Sequence, residues 1–191
     1  MTNREKELLS VASEVMDALR SNGLECALSG SLMLAVAGIN KRRESNDIDI
    51  VVDSNLLYNQ FQASECGDFR AYVISLVEPK CGKVIAISNK LYPTVSFIHK
   101  GFKVDLIDSI EEYTVINGTV LGSLFDLVYA KYSYSLDDSS PETKRKHSED
   151  VQYILENNAL GFSKIDLINR RSGSIETEIV AEELDYFPFE L

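Results

Sequence analysis

The stretch Asn46-Asp47-Ile48-Asp49-Ile50-Val51-Val52 constrains this chain more than any other. A β-branched run of this kind reads as a strand, and acids at alternate positions project from one face of it, roughly 7 Å apart at ~3.3 Å per residue. Two ionised groups on one face of an otherwise apolar strand are costly unless solvent or cations compensate them. The chain must therefore build a sheet that tolerates charge on one face at this strand. Asp53, and Asp108 further on, lie just past strand ends, where acids usually serve turns and caps.

The segments around that strand read as a mixed α and β chain. Leu8, Leu9, Val11, Val15, Met16 and Leu19 predict a helix from Thr2 to about Ser21, stopped by Asn22-Gly23. Leu24 to Leu28 reads as a strand, Ser29-Gly30-Ser31 as a tight turn, and Leu32 to Ala37 as a helix closed by Gly38. Asn40 to Asn46 has loop composition, and a helix capped by Ser54 or Asn55 is expected to about Ser64. Strands are expected at Ala71 to Val77, Lys83 to Ser88 and Thr94 to Ile98, and a Lys100-Gly101 turn leads to another at Phe102 to Ile107. That last strand carries Asp105. Helical patterns follow at Leu124 to Tyr132, after Ser140-Pro141, and around Lys164 to Asn169.

With 191 residues, a net charge of -11 and 45% apolar residues, the chain is expected to be one globular domain with a small appendage. The reading divides it into a core over residues 1–118, a helical subdomain over 119–172 and an acidic, aromatic-ended tail over 173–191. No apolar run approaches the ~20 residues of a membrane span, and the first residues lack the apolar centre of a signal peptide, so a cytoplasmic protein is expected. Cys26, Cys66 and Cys81 have neither CxxC nor metal-site spacing and are expected to be idle thiols. His99 and His147 are expected at the surface. The acidic balance disfavours nonspecific nucleic-acid binding, although Lys41, Arg42, Arg43 and Lys144 to Lys146 could gather into a local basic rim.

The chemistry-bearing unit is Gly30-Ser31 opening a helix, Asp47 and Asp49 on one strand, and Asp105 on a later one. Magnesium accepts hard oxygen ligands and shares its shell between one or two carboxylates and substrate phosphates. Two ions about 4 Å apart would be bridged by Asp47 and Asp49, with Asp105 as third carboxylate. Gly30 would let the backbone approach, and Ser31 with the first helical N–H groups would hold triphosphate oxygens.

In this order the motifs resemble the polymerase β-like nucleotidyltransferase superfamily: Leu-Ser-Gly-Ser at Leu28 to Ser31, Asn46 to Val52, and Lys-Val-Asp-Leu-Ile at Lys103 to Ile107. The string Arg43-Glu44-Ser45-Asn46-Asp47-Ile48-Asp49 is similar to the branch of AbiEii-type toxins and minimal nucleotidyltransferases. One departure is the segment between Ser31 and Asp47, longer than the family usually shows, with Lys41 and Arg42 added. The resemblance implies an α+β fold with a mixed, largely antiparallel sheet and a C-terminal helical subdomain. It implies catalytic, metal-holding roles for Asp47, Asp49 and Asp105, and nucleotide contacts from Gly30, Ser31, Arg43 and Lys131, with Asp150 orienting Lys131.

The activity so implied is metal-dependent transfer of a nucleoside monophosphate from an NTP, ATP included, to a hydroxyl or phosphate acceptor. Two Mg²⁺ ions, or Mn²⁺ in their place, would assist. The acceptor stays open among tRNA, protein and small molecule, in a toxin or phage-defence setting that would bring an antitoxin or other protein partner. The alternatives are a non-catalytic nucleotide-sensing or interaction module, and γ-phosphoryl transfer from the same site.

Overall fold

The structure, a computed structural model, describes residues 1–87, 95–108, 113–137 and 140–173. The acidic stretch from residue 174 onward lies outside the described residues. The chain divides into two compact units, Met1–Leu127 and Val128–Leu191. Among the described residues no helix is long and apolar enough to cross a membrane.

The first unit opens with α1 (Asn3–Ser21), whose apolar stripe of Leu8, Val11, Ala12, Val15, Met16 and Leu19 is buried. Thr2 and Glu5 cap it reciprocally: the Thr2 hydroxyl accepts from the Glu5 N–H, and the Glu5 carboxylate accepts from the Thr2 N–H. Strand β1 (Cys26–Ser29) runs directly into α2 (Gly30–Val36), and β2 (Ile48–Val52) into α3 (Ser54–Gln62). The cap of α3 is Asp53 rather than Ser54 or Asn55, its side chain accepting from the Leu56 N–H at 3.0 Å. Then come α4 (Phe69–Cys81), β3 (Ile85–Ile87), β4 (Val95–His99), β5 (Phe102–Asp108), β6 (Thr114–Ile116) and β7 (Thr119–Leu121).

The expectation of a strand at Ala71 to Val77 is overturned: these residues lie in α4. Asp68 caps that helix through the Ala71 N–H at 2.7 Å, and Val73 and Val77, one turn apart, are its buried residues. Pro79 is tolerated near its end, where few later N–H groups depend on the helix ladder.

Among the described residues seven strands form one sheet, in the order β3-β4-β5-β2-β1-β7-β6. Two pairings are parallel, β2 with β5 and β1 with β7; the other four are antiparallel, the mixed sheet expected. Ile48, Ile50 and Val52 alternate along β2 and are buried, as are their ladder neighbours Val104 and Leu106 on β5. Helix α1 packs against β1, β2 and β5 and against α2 and α4, so this apolar core sits directly behind the acid-bearing face of β2. Each fully buried Leu or Ile there contributes roughly 1.5–3 kcal/mol.

The second unit is helical. It contains most of α5 (Leu124–Asp137), α6 (Pro141–Asn157) and a last helix, α7, over residues 164–173. Ser140 caps α6 ahead of Pro141, as expected. Among the described residues of this unit the buried ones are Val128, Val151, Ile154 and Leu167, together with Lys131 and Asp150.

Candidate active site

Register builds the site. In the parallel ladder Ile48 pairs with Val104 and Ile50 with Leu106, so Asp49 stands directly beside Asp105 on the same face. Across β4 the partner of Asp105 is Ser96, and across β1 the partner of Asp49 is Ser29, the residue before Gly30. One row of the sheet therefore reads Ser96, Asp105, Asp49, Ser29. Asp47 precedes β2 by one residue and returns to the Asp49 face by the period of two. Ligand oxygens of Asp47, Asp49 and Asp105 all lie within 4.8 Å of one another.

Gly30 is what gives Asp49 its place. Its φ of +65° is a conformation that L side chains rarely adopt, and a Cβ there would lie 1.8 Å from Asp49 Oδ2 and 2.9 Å from Asp49 Cβ. The turn from β1 into α2 thus forms a cradle that only a glycine leaves open to a carboxylate. Ser31 follows in the first turn of α2, half-buried.

Three carboxylates this close repel one another unless something positive approaches. Two donors meet Asp105: the buried Ser96 hydroxyl donates to Oδ1, and the Lys103 ammonium donates to Oδ2 at 2.6 Å. Burial disfavours the Lys103 charge, but the bond to Asp105 and the charges of Asp105, Asp47 and Asp49 outweigh it and raise the lysine above its ordinary range. Neither Ser96 nor Lys103 stood out in the sequence. The signal for Lys103 was available, because in Lys-Val-Asp it must share the face of Asp105. Ser96 could be found only through the β4–β5 register.

The loop ahead of Asp47 is anchored by a second cluster. Glu5, 3% exposed, takes an ion pair from Lys41 and accepts from the Ser45 N–H at 3.3 Å, while Lys41 Nζ also donates to Ser45 Oγ at 2.8 Å. Against the cost of burial, the Lys41 bond, the Thr2 and Ser45 N–H groups and the Lys41 charge carry the Glu5 carboxyl down to about 2. Lys41 is thus an ion-pair partner of α1, half-buried, and not a member of a basic rim. Arg42 and Arg43, by contrast, are exposed on the same loop.

The remaining expected residues are placed as follows. Lys131 and Asp150 pair at 3.7 Å within the second unit, both nearly buried. His99 is buried and bonded to Glu14 Oε2 at 3.0 Å, which corrects the surface position expected for it, and His147 is half-buried with its ring against Tyr134. Burial pushes the Cys26 thiol up to about 11, in keeping with an idle thiol.

No protein-family model matches the chain, and no curated protein matches it in sequence. Solved structures match it in fold. The antibiotic-resistance factor ANT(2'')-Ia in solution aligns over 95% of this chain and 98% of its own, with a TM-score of 0.57 and 13% identity. The crystal structure of ANT(2'')-Ia in complex with adenylyl-2''-tobramycin aligns over 77% and 87%, with a TM-score of 0.50 and 16% identity. A Thermotoga maritima protein described as a nucleotidyltransferase aligns over 78% and 96%, with a TM-score of 0.50 and 19% identity. The chain has the nucleotidyltransferase fold. Its acid cluster is of the kind that holds a divalent metal.

Proposed function

We propose that this chain is a metal-dependent nucleotidyltransferase that moves a nucleoside monophosphate from an NTP to a hydroxyl or phosphate acceptor. The observation that carries the reading is the convergence of Asp47, Asp49 and Asp105 within 4.8 Å, with Asp49 held in the cradle left by Gly30. The donor set is all hard oxygen, which suits Mg²⁺ or Mn²⁺ and not a soft metal. Asp47 and Asp49 would hold both of two ions and Asp105 one of them. Bound there, such ions neutralise the triphosphate and lower the pKa of the attacking oxygen.

The chain's own residues do the rest. The acceptor oxygen forms its bond to the α-phosphorus as the bridge from the α- to the β-phosphate breaks; pyrophosphate leaves with the electron pair, and the acceptor proton passes to a carboxylate, with Asp105 assigned that role. Gly30, Ser31 and Arg43 are assigned to the phosphates. Lys131, a buried ammonium 3.7 Å from the Asp150 carboxylate, is assigned to the triphosphate, with Asp150 orienting it.

For the acceptor, a long polyanion has less support than a protein or a small molecule. Lys41 is committed to Glu5, Lys144 donates to the Leu136 carbonyl at 2.6 Å, and the chain carries a net charge of -11. The neighbour crystallised with adenylyl-2''-tobramycin makes a small polyhydroxylated acceptor a first compound to try. The Arg43 to Asp49 string supports a narrower form of the proposal, an AbiEii-like toxin with an antitoxin partner, working in the cytoplasm where NTPs are supplied.

The test is incubation with Mg²⁺, a cell extract or aminoglycoside, and either α- or γ-labelled NTP. Label transferred only from the α position, with pyrophosphate released, supports nucleotidyl transfer. Transfer of γ-label identifies a kinase instead, and NTP binding without transfer to any acceptor identifies a sensing module.

A further inference from the structure

The two oxygens of Asp105 are held in different ways. Oδ1 accepts from Ser96, which is 1% exposed and fixed in β4. Oδ2 accepts from Lys103, whose side chain is 46% exposed. A buried serine hydroxyl that turns away loses a bond that no water is at hand to replace, whereas a half-exposed lysine exchanges its partner for water at little cost. Of the two oxygens, only Oδ2 is therefore readily released.

Lys103 also stands where it senses the whole cluster. It precedes Asp105 by two residues on β5 and so shares its face, and the β2–β5 register continued by one residue sets Asp47 level with it. The Lys103 ammonium occupies one oxygen of a cluster of three converging carboxylates, and a divalent cation that takes this oxygen contests the position of the ammonium.

We propose that Lys103 is a tethered counter-cation of the acid cluster: it occupies Oδ2 of Asp105 until a divalent ion takes that oxygen over, and so sets how tightly the cluster holds metal. This rests on the metal-dependent reading above. Lys103 is a positioning residue here. It weakens metal binding and in exchange keeps the carboxylates together when no metal is present.

The experiment is titration of the full chain with Mn²⁺, followed by the electron spin resonance of free Mn²⁺, for wild type, Lys103→Met, Lys103→Gln and Asp49→Asn. At moderate salt, removing one partly screened charge within a few ångströms of the ion is expected to tighten Mn²⁺ binding roughly tenfold in Lys103→Met and Lys103→Gln. A second readout is ¹³C NMR of the reductively methylated protein, in which the Lys103 signal, assigned by its loss in Lys103→Gln, should shift when diamagnetic Mg²⁺ is added. Equal or weaker Mn²⁺ binding in both lysine variants, with wild-type thermal melting, would overturn the inference and leave the metal site standing. No Mn²⁺ binding in wild type or either lysine variant, or binding that persists in Asp49→Asn, would overturn the site and the inference together.

Discussion

Two carboxylate clusters in the first unit solve the same problem in opposite ways. At the start of α1 a single carboxylate, Glu5, meets one ammonium, one hydroxyl and two backbone N–H groups. Every charge there has its partner, and the result is a lock that holds the loop carrying Arg43 and leading to Asp47. On the sheet face three carboxylates converge, and the Lys103 ammonium and the Ser96 hydroxyl donate to Asp105. A carboxylate matched with its donors stabilises the fold; like charges brought together cost stability and gain attraction for an outside cation.

That contrast predicts effects of opposite sign. Asp49→Asn should lower nucleotidyl transfer by roughly a thousandfold or more, in the manner of losing a metal-holding or transition-state group, while melting temperature holds or rises because like charges are relieved. A loss of stability to match the loss of activity would mean that the sheet-face acids are structural after all. Glu5→Ala should do the reverse: about 3 kcal/mol of stability lost, because the largely enclosed Lys41 ammonium loses its counter-charge, measured by urea unfolding.

The same contrast is open to acid titration. The folded Glu5 carboxyl, at about 2, lies below its ordinary 4.5, so the unfolded chain binds the extra proton. Its contribution is present in full above about pH 5 and drains away as pH falls toward 2, by up to about 3 kcal/mol. Glu5→Gln should flatten that part of the stability curve, and an unchanged acid slope would show that the lock carries no such weight. The smallest expected effect belongs to Gly30→Ala, at about 2 kcal/mol from the positive φ and the collision with Asp49. Its Mn²⁺ affinity should fall as Asp49 is pushed aside; unchanged affinity would separate the cradle from the site.

Much of this site is legible in the sequence because strand periodicity is rigid. Once Asp49 lies on β2, with Asp47 one residue ahead of that strand, and Asp105 on β5, only the pairing of the two strands is needed to join them. The clusters around the acids were less legible. Thr2-Asn3-Arg4-Glu5 is a capping-box pattern, but that Glu5 also receives Lys41 and Ser45 depends on where the loop folds back, which no local rule states. Ala71 to Val77 is rich in β-formers and so reads as a strand; burial of Val73 and Val77 on one stripe and the Asp68 cap make it helix α4 instead. The hairpin between β6 and β7 is legible too: Asn117-Gly118, at φ of 50° and 77°, joins Thr-Val-Ile to Thr-Val-Leu as a primed turn requires.

The parallel pairing of β2 with β5 also has a consequence in time. At synthesis rates of about 5–20 residues per second, Asp47 and Asp49 leave the ribosome seconds before Asp105, and β4, with Ser96, is threaded between. Until β5 docks, a nascent chain carries an incomplete set of acids and lacks its Lys103. This topology completes the acid cluster only when β5 joins the sheet beside β2.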